Sequence, residues 1–415
     1  MNIKFTKVLF LLTLVFFIAS CSNDDDNGGD DDIGGETKVE KSDFIETYAK
    51  IAAANYADAY NTAVDMQTEI NAFLLDPSAD GLVDAQQAWL YARDYYGQTE
   101  AFREADGPID NSDWLDSEGL INSWPLEESY IDYVSDNAGG YNQTGIIGDE
   151  DFDLTELNLN DNNQLNDNES DVLVGWHAIE FLLWGQDLNY DTVNHTTDNY
   201  EVSGLRAYTD YTTANFAERR KDYLELVTNM LISNLKDLND TWAVGGAYRT
   251  AFEALDEDVA IKNILNGIGF ISNGEVAEER LVPPIDLGQE NEHSCFSDNT
   301  NQDMWANVNG INNVIVGSYT TESGIEITGT SLIKLVEQED ADVASELTAK
   351  ASETLTRLDT LLSLGKNFDE IISEESITAD EADYGPAGKL YLALVDQGSA
   401  ISDAATALGV SISID

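Results

Sequence analysis

From Ser42 onward apolar residues return every three or four positions in long runs, which is the period of one helix face. The stretch SDFIETYAKIAAANYADAYNTAVDMQTEINAFL, with Ser42 as its expected N-cap and Glu46 nearby, predicts one long helix that Pro77 ends. A second helix is predicted over 82–104, carrying Trp89, Tyr95, Tyr96 and Phe102. The short link makes the two an antiparallel hairpin, closed by Gly107 and Pro108. A short helix is expected at 126–134, and longer ones at 171–185, 210–239, 248–271, 301–318, 328–364 and 379–408. Strand-like alternation is scarce, GIEIT at 324–328 being the best of it. The pattern therefore predicts an all-α protein of two helical bundles, over 42–283 and 284–415, with a hinge at Pro283 and Pro284 or just before.

The first 41 residues follow other rules. Lys4 and Lys7, an apolar run over 8–18, and the small residues Ala19 and Ser20 before Cys21 have the order of a secretory signal, too short for a membrane span. Ile18, Ala19, Ser20 and Cys21 resemble the bacterial lipobox, so residues 1–20 are expected to be removed and Cys21 to carry the lipid anchor. SNDDDNGGDDDIGGE then predicts a flexible tether within 21–41. Acidic residues directly after a lipidated Cys also resemble the surface-export signal of some Gram-negative lipoproteins. The expected location is the outer membrane, facing the cell surface, with a periplasm-facing orientation as the alternative. Lipidation of Cys21 would leave Cys295 alone, expected as a buried thiol with no disulfide partner.

Hydrophobic residues at 42% are enough for a core, yet 20 Lys and Arg face 79 Asp and Glu, a formal net charge of −59. Such a chain lacks the basic surface that nucleic acid requires, and its field favours cations. The like charge and the tether lean towards a monomer.

The chemistry concentrates in VLVGWHAIEFLLWG. At helical spacing His177 and Glu180 lie one turn apart on the same face of a segment apolar nearly all round. A buried imidazole and carboxylate need partners to offset their desolvation. They bind each other and nearby polar groups, or bind a metal, or act in catalysis. The segment QENEHSCFSDNT offers Glu290, Glu292 and His293 as further ligands. HExxH is absent, and HxxEH fails because Phe181 follows Glu180. A calcium loop at 149–160 fails too, with Leu154 where Gly is needed and Asn160 where the bidentate Glu belongs, so the acidic segment is expected to be a solvated loop. No phosphate-cradling Gly-rich loop or GxSxG elbow is present. Arg93 with Glu100 and Arg103, Arg206 with Asp210, and Glu218 with Arg219 and Arg220 are expected as buried ion pairs rather than substrate clamps.

The stretches YGQTEAFREADGPID, INSWPLEESYIDYV, GWHAIEFLLWGQDL, AERRKDYL and QENEHSCFSDNT resemble the imelysin family, in its iron-regulated protein A branch, from residue 42 to the C-terminus. The resemblance implies two four-helix-bundle domains with the HxxE helix at their junction. It also implies a bacterial envelope protein tied to iron acquisition and grouped among metallopeptidases. Gly175, His177 and Glu180 match the family's GxHxxE element, Glu292 and His293 its EHSCFSDNT element, and Glu100 and Arg103 its QTEAFR stretch. Asn301 stands where a His is expected, and His195 lies in a Thr- and Asn-rich loop, which leaves His177 and His293 as imidazole ligands.

The expectation is a divalent or ferric metal ion, iron before zinc, or an iron-bearing ligand, held by His177, Glu180, Glu292 and His293. Arg103, Gly175 and Asp298 would support these ligands from behind, and iron-transport components would be the partners. The alternatives are a zinc-type peptidase using His177 and Glu180, with Glu100 or Glu292 as general base, and a scaffold that binds a ligand without catalysis.

Overall fold

The computed structural model describes residues 38–135, 140–165, 168–187, 190–191, 196–197, 203–204, 206–375, 377 and 381–414. The signal segment, Cys21, nearly all of the tether, and His195 lie outside the described residues.

Helix α1 (Lys41–Leu75) buries Phe44, Tyr48, Ala52, Tyr56, Ala59, Ala63, Met66, Ile70 and Phe73, the single stripe its spacing dictates. It starts one residue ahead of Ser42, with Glu40 as the cap: Asp43 reaches back and accepts the Glu40 backbone N–H at 3.0 Å. Ser78 caps α2 (Ala79–Gln98) by accepting the Gly81 N–H at 3.1 Å, and α2 folds back along α1. The HxxE helix α3 (Gly175–Trp184) and the long α4 (Ala217–Trp242) complete this group, α3 packing on both α2 and α4. Tyr48, Tyr56, Phe102, Trp242 and Phe252 fill its interior, with neighbouring ring centroids 5.4–6.4 Å apart.

The second group is α5 (Glu257–Phe270), α6 (Thr300–Val316), α7 (Ala341–Leu362) and α8 (Pro386–Ala407). Helical backbone continues from α5 through a π-helical stretch, Ile271–Leu281, into Val282–Leu287. Pro283 and Pro284, expected in a hinge loop, instead lie in the first turn of that last helical segment. The π stretch packs on α8, and α8 on α7.

The two groups meet where α2 crosses α6. A Cβ on Gly97 would stand 2.6 Å from the Ala306 Cβ, and one on Gly310 would stand 2.4 Å from the Gln98 carbonyl oxygen. Only glycine allows this approach, and it sets Arg93 of α2 against Asp303 of α6.

Several helices differ from expectation at their ends. The 171–185 helix begins only at Gly175, 210–239 begins at Ala217 after a 3-10 turn at Tyr208–Tyr211, and 248–271 is divided into Ala247–Phe252 and α5. The acidic stretch expected as loop carries a helix, Glu156–Asn162, capped by Thr155. GIEIT does form a strand, Glu326–Thr328, paired antiparallel with Ser318–Thr320. The fold is all-α apart from three two-stranded ribbons among the described residues. No helix of the described residues is long and apolar enough to cross a membrane.

Candidate metal centre

All ten residues of α3 are buried, so both helix ends must satisfy their backbone inside the protein. At the C-terminal end Arg206 donates to the carbonyls of Phe181 and Leu182, Tyr211 donates to Leu182, and Gln86 donates to Leu183. Arg206 is also a cation at the negative end of the helix dipole. Its Nη1 lies 3.0 Å from Asp132, which in turn grips Arg220 through two bonds of 2.6 and 2.9 Å. Arg206 and Arg220 are thus buried ion-pair members, while Arg219 donates to the carbonyls of Ile146 and Phe152. At the N-terminal end Gly175 has φ +87°, and a Cβ there would stand 2.4 Å from the Ile121 carbonyl oxygen. Gly175 therefore lets the helix start against the 118–121 turn, and supports the site through its backbone.

On this fixed helix His177 Nδ1 lies 2.8 Å from Glu180 Oε2, both side chains fully buried. The other carboxyl oxygen, Oε1, accepts the Ser297 backbone N–H at 3.0 Å and the Ser297 hydroxyl at 2.7 Å. Burial is the main cause that pushes the Glu180 carboxyl up to about 8 against these bonds, and burial with the charges of His293 and Arg93 pushes the His177 imidazole well down. At neutral pH the pair is uncharged, with the Glu180 proton in the Oε2 to Nδ1 bond and the ring proton on Nε2, where a bound metal ion would displace it. His177 Nε2 is buried and has no hydrogen-bond partner.

The second imidazole comes from the EHSCFSDNT stretch. His293 Nδ1 lies 2.8 Å from Asp303 Oδ2, and the two imidazole centroids are 4.7 Å apart. Asp303 also accepts from Arg93 Nε at 3.2 Å, from Asn299 at 3.2 Å and from the Ser294 hydroxyl. Burial works to raise the Asp303 carboxyl, but Arg93, His293 and Ser294 together hold it well below the carboxylate range. His293 is pushed down to about 4, chiefly by burial and then by Arg280. The Nδ1–H of a neutral His293 donates to the anionic Asp303, so the His293 Nε2 carries the lone pair. Trp124 packs 4.8 Å from His177 and 6.4 Å from His293, and lines with His293 a cleft of about 460 Å³. Glu118, Glu169, Glu275 and Glu279 share that lining with Arg103 and Arg280, a surplus of carboxylates.

Glu100 is drawn into a different role from the general base expected of it. Arg280 Nη2 donates to it at 2.7 Å, Arg103 at 3.4 Å and Asn122 at 3.3 Å. Burial opposes ionisation, yet Arg280, Arg103 and Arg93 bring its carboxyl down to about 2, which is a poor proton acceptor near neutral pH. Arg103 also reaches Asp110 and Glu275 at 3.4 Å, and so belongs to the network behind His293. Asn122 ties that network to Arg93, whose Nη1 donates to it.

The four expected ligands are not drawn to one point. Glu180 is spent on His177 and Ser297. Glu292 is buried with its carboxyl raised first by burial, then by Asp369 and Asp298, and it is hydrogen-bonded to Thr300. Asp298 accepts from Asn367 at 3.0 Å and is pushed up to about 8 by burial, Asp369 and Asp187, so it belongs with Glu292. Glu290, also raised to about 8, faces Glu128 and Asp187. Among the described residues no three His, Cys, Asp or Glu side chains are grouped to hold a metal ion. What is present is a pair of imidazoles, each held at Nδ1 by a carboxyl group, the arrangement that orients metal-binding histidines. Asp303, Arg280, Asn122 and Ser297 were missed in the sequence; Asn122 and Ser297 had a signal, their places in the INSWPLEESYIDYV and QENEHSCFSDNT stretches. Asn301 donates to the Lys366 carbonyl at 2.8 Å, and Cys295 is buried and free.

A family model described as imelysin matches residues 52–401. No curated protein matches the chain. Among solved structures, one described as an iron-regulated protein A precursor from Parabacteroides distasonis ATCC 8503 superposes with a TM-score of 0.64 at 19% identity, covering 91% of this chain and 97% of that one. An imelysin-like protein from Psychrobacter arcticum 273-4 superposes with a TM-score of 0.53 at 14% identity, covering 90% and 96%. At these identities the likeness is one of fold.

Proposed function

The chain belongs to the imelysin family, and from that premise we propose that it captures an iron ion as cargo, held between His177 and His293, in iron acquisition at the bacterial envelope. The observation that carries the reading is His177 Nε2, a fully buried nitrogen without a partner beside a second imidazole. A buried polar atom left unpaired costs roughly 1–3 kcal/mol, and a metal ion offsets that cost. Two protein ligands leave most of the coordination sphere to water or to small anions. That suits an ion taken up and passed on better than a closed structural site, which has four protein ligands. The surplus of carboxylates along the cleft attracts a cation, while Asp303 and Glu100 neutralise the arginines nearest the imidazoles. The iron-regulated protein A precursor of like fold favours iron over zinc.

In this reading a lipid on Cys21 anchors the chain to the outer membrane, and the Asp-rich tether lets it face the cell surface and pass iron to transport components. Neither general base expected for the peptidase alternative is placed for that role, since Glu100 is clamped by arginines and Glu292 lies with Asp298 and Asp369. Titration of the protein with Fe²⁺, Fe³⁺ and Zn²⁺ tests the proposal. One tight site is expected, lost in His177→Ala and in His293→Ala. Equal binding in wild type and both variants would refute it, and cleavage of a peptide panel would favour the alternative.

A further inference from the structure

On the other side of the junction between α2 and α6 lies a second groove, of about 300 Å³, that shares no lining residue with the histidine cleft. Its walls are Tyr91 and Tyr95 from α2 and Trp305 from α6, with Asp94, Asn309 and Asn313 between them. The Tyr91 and Tyr95 rings meet edge to face at 5.3 Å, and Tyr91 is 46% exposed, so the aromatic wall opens to solvent. The sequence explains the separation of the two sites. Arg93 and Asp94 are consecutive on α2 and point to opposite sides of the junction: Arg93 to Asp303, Asp94 into the groove.

Among the described residues Asp94 has no cationic partner. Its one hydrogen bond to another side chain comes from Gln302 at 3.5 Å, and no Lys or Arg lines the groove. Partial burial and the charge of Asp303 push the carboxyl up to about 6. At the rim Glu322 accepts the Tyr91 hydroxyl at 3.0 Å, and Asp58 accepts the Tyr319 hydroxyl at 2.7 Å, so carboxylates both line and rim the groove. A sugar would meet ring faces and amides here, but would leave the carboxylate without a counter-ion.

We propose that this groove binds an organic ammonium group, such as a quaternary choline-like head or a lysine-type amine. The cation would sit against the faces of Tyr91, Tyr95 and Trp305 and be neutralised by Asp94. Ring quadrupoles attract alkylammonium ions, and a carboxylate beside them supplies the charge partner, while the groove is at the small end of the range for ligand sites. The proposal is independent of the iron site, because none of its residues touches His177 or His293.

Calorimetric titration of the full-length protein with choline, with its uncharged carbon isostere 3,3-dimethylbutan-1-ol, and with a panel of neutral saccharides tests it. Choline is expected to saturate one site, with the isostere about tenfold weaker or worse. Asp94→Asn and Trp305→Ala should each weaken choline by about tenfold, and His177→Ala should leave it unchanged. Asp94 is half-buried, so Asp94→Asn keeps the test valid even if Trp305→Ala fails to fold. Absence of saturable choline binding, equal binding of choline and the isostere, or saturation by a saccharide instead would overturn the proposal.

Discussion

Glu180 controls which nitrogen of His177 can carry the proton. Metal binding at Nε2 would cost the pair one proton: Glu180 becomes the carboxylate, and the remaining proton stays on Nδ1 in the bond to Oε2. In Glu180→Gln the Ser297 donors keep Oε1 as acceptor, so the amide NH₂ faces Nδ1 and forces the ring proton onto Nε2. Iron affinity should fall about 10- to 100-fold while the melting temperature changes little. Unchanged affinity in that variant would show that Nε2 is not a ligand. Asp303 has the opposite balance, being the partner of the buried Arg93. Asp303→Asn leaves that guanidinium without its counter-ion and should cost about 3–5 kcal/mol in urea unfolding. The i, i+3 pair His177 and Glu180 was legible because helix periodicity is local. Arg93 with Asp303, Asp132 with Arg206 and Arg220, and Glu100 with Arg280 join distant parts of the chain, and no spacing rule reaches that far.

At the scale of elements, the site depends on how closely α2 and α6 cross. Gly310→Ala puts a methyl 2.4 Å from the Gln98 carbonyl, a backbone atom that cannot rotate away. The helices must separate, and a loss of about 1–3 kcal/mol is expected together with weaker iron binding, measured by thermal unfolding and titration on the same sample. A variant with wild-type stability would mean that the crossing is slack. The long helices were legible from their apolar period, as α1, α2 and α6 show. Their ends were not, since caps and glycines set them: Glu40 with Asp43 moved the start of α1, Gly175 delayed α3, and Pro283 and Pro284 read as a hinge although a helix accepts proline in its first turn.

Over the whole molecule, buried carboxyls set the response to pH. Glu128 and Asp369 are raised to about 7, and Glu290 and Asp298 to about 8, by burial first and then by neighbouring acids, Asp187 among them in every case. Unfolded, these groups titrate near ~4, so between about pH 4 and 8 the folded chain holds protons that the unfolded chain has released. Stability is therefore fully present below that window and falls as pH rises through it. Glu100 and Asp303 act in the reverse sense, their contribution being lost only as pH drops below ~4. The melting temperature should peak near pH 4–5 and decline towards pH 8, and Asp369→Asn should flatten the decline. A melting temperature that climbs steadily from pH 5 to 8 would contradict this balance. The same acidic surplus was visible in the composition, but which carboxyls are buried together is a property of the packed chain.

X-ray absorption at the iron edge, on protein loaded with one equivalent of iron, reads the ligands of the proposed site themselves. Two imidazole rings are expected in the coordination shell, reduced to one in His177→Ala and in His293→Ala. A shell of oxygen atoms alone, unchanged by either substitution, would contradict it.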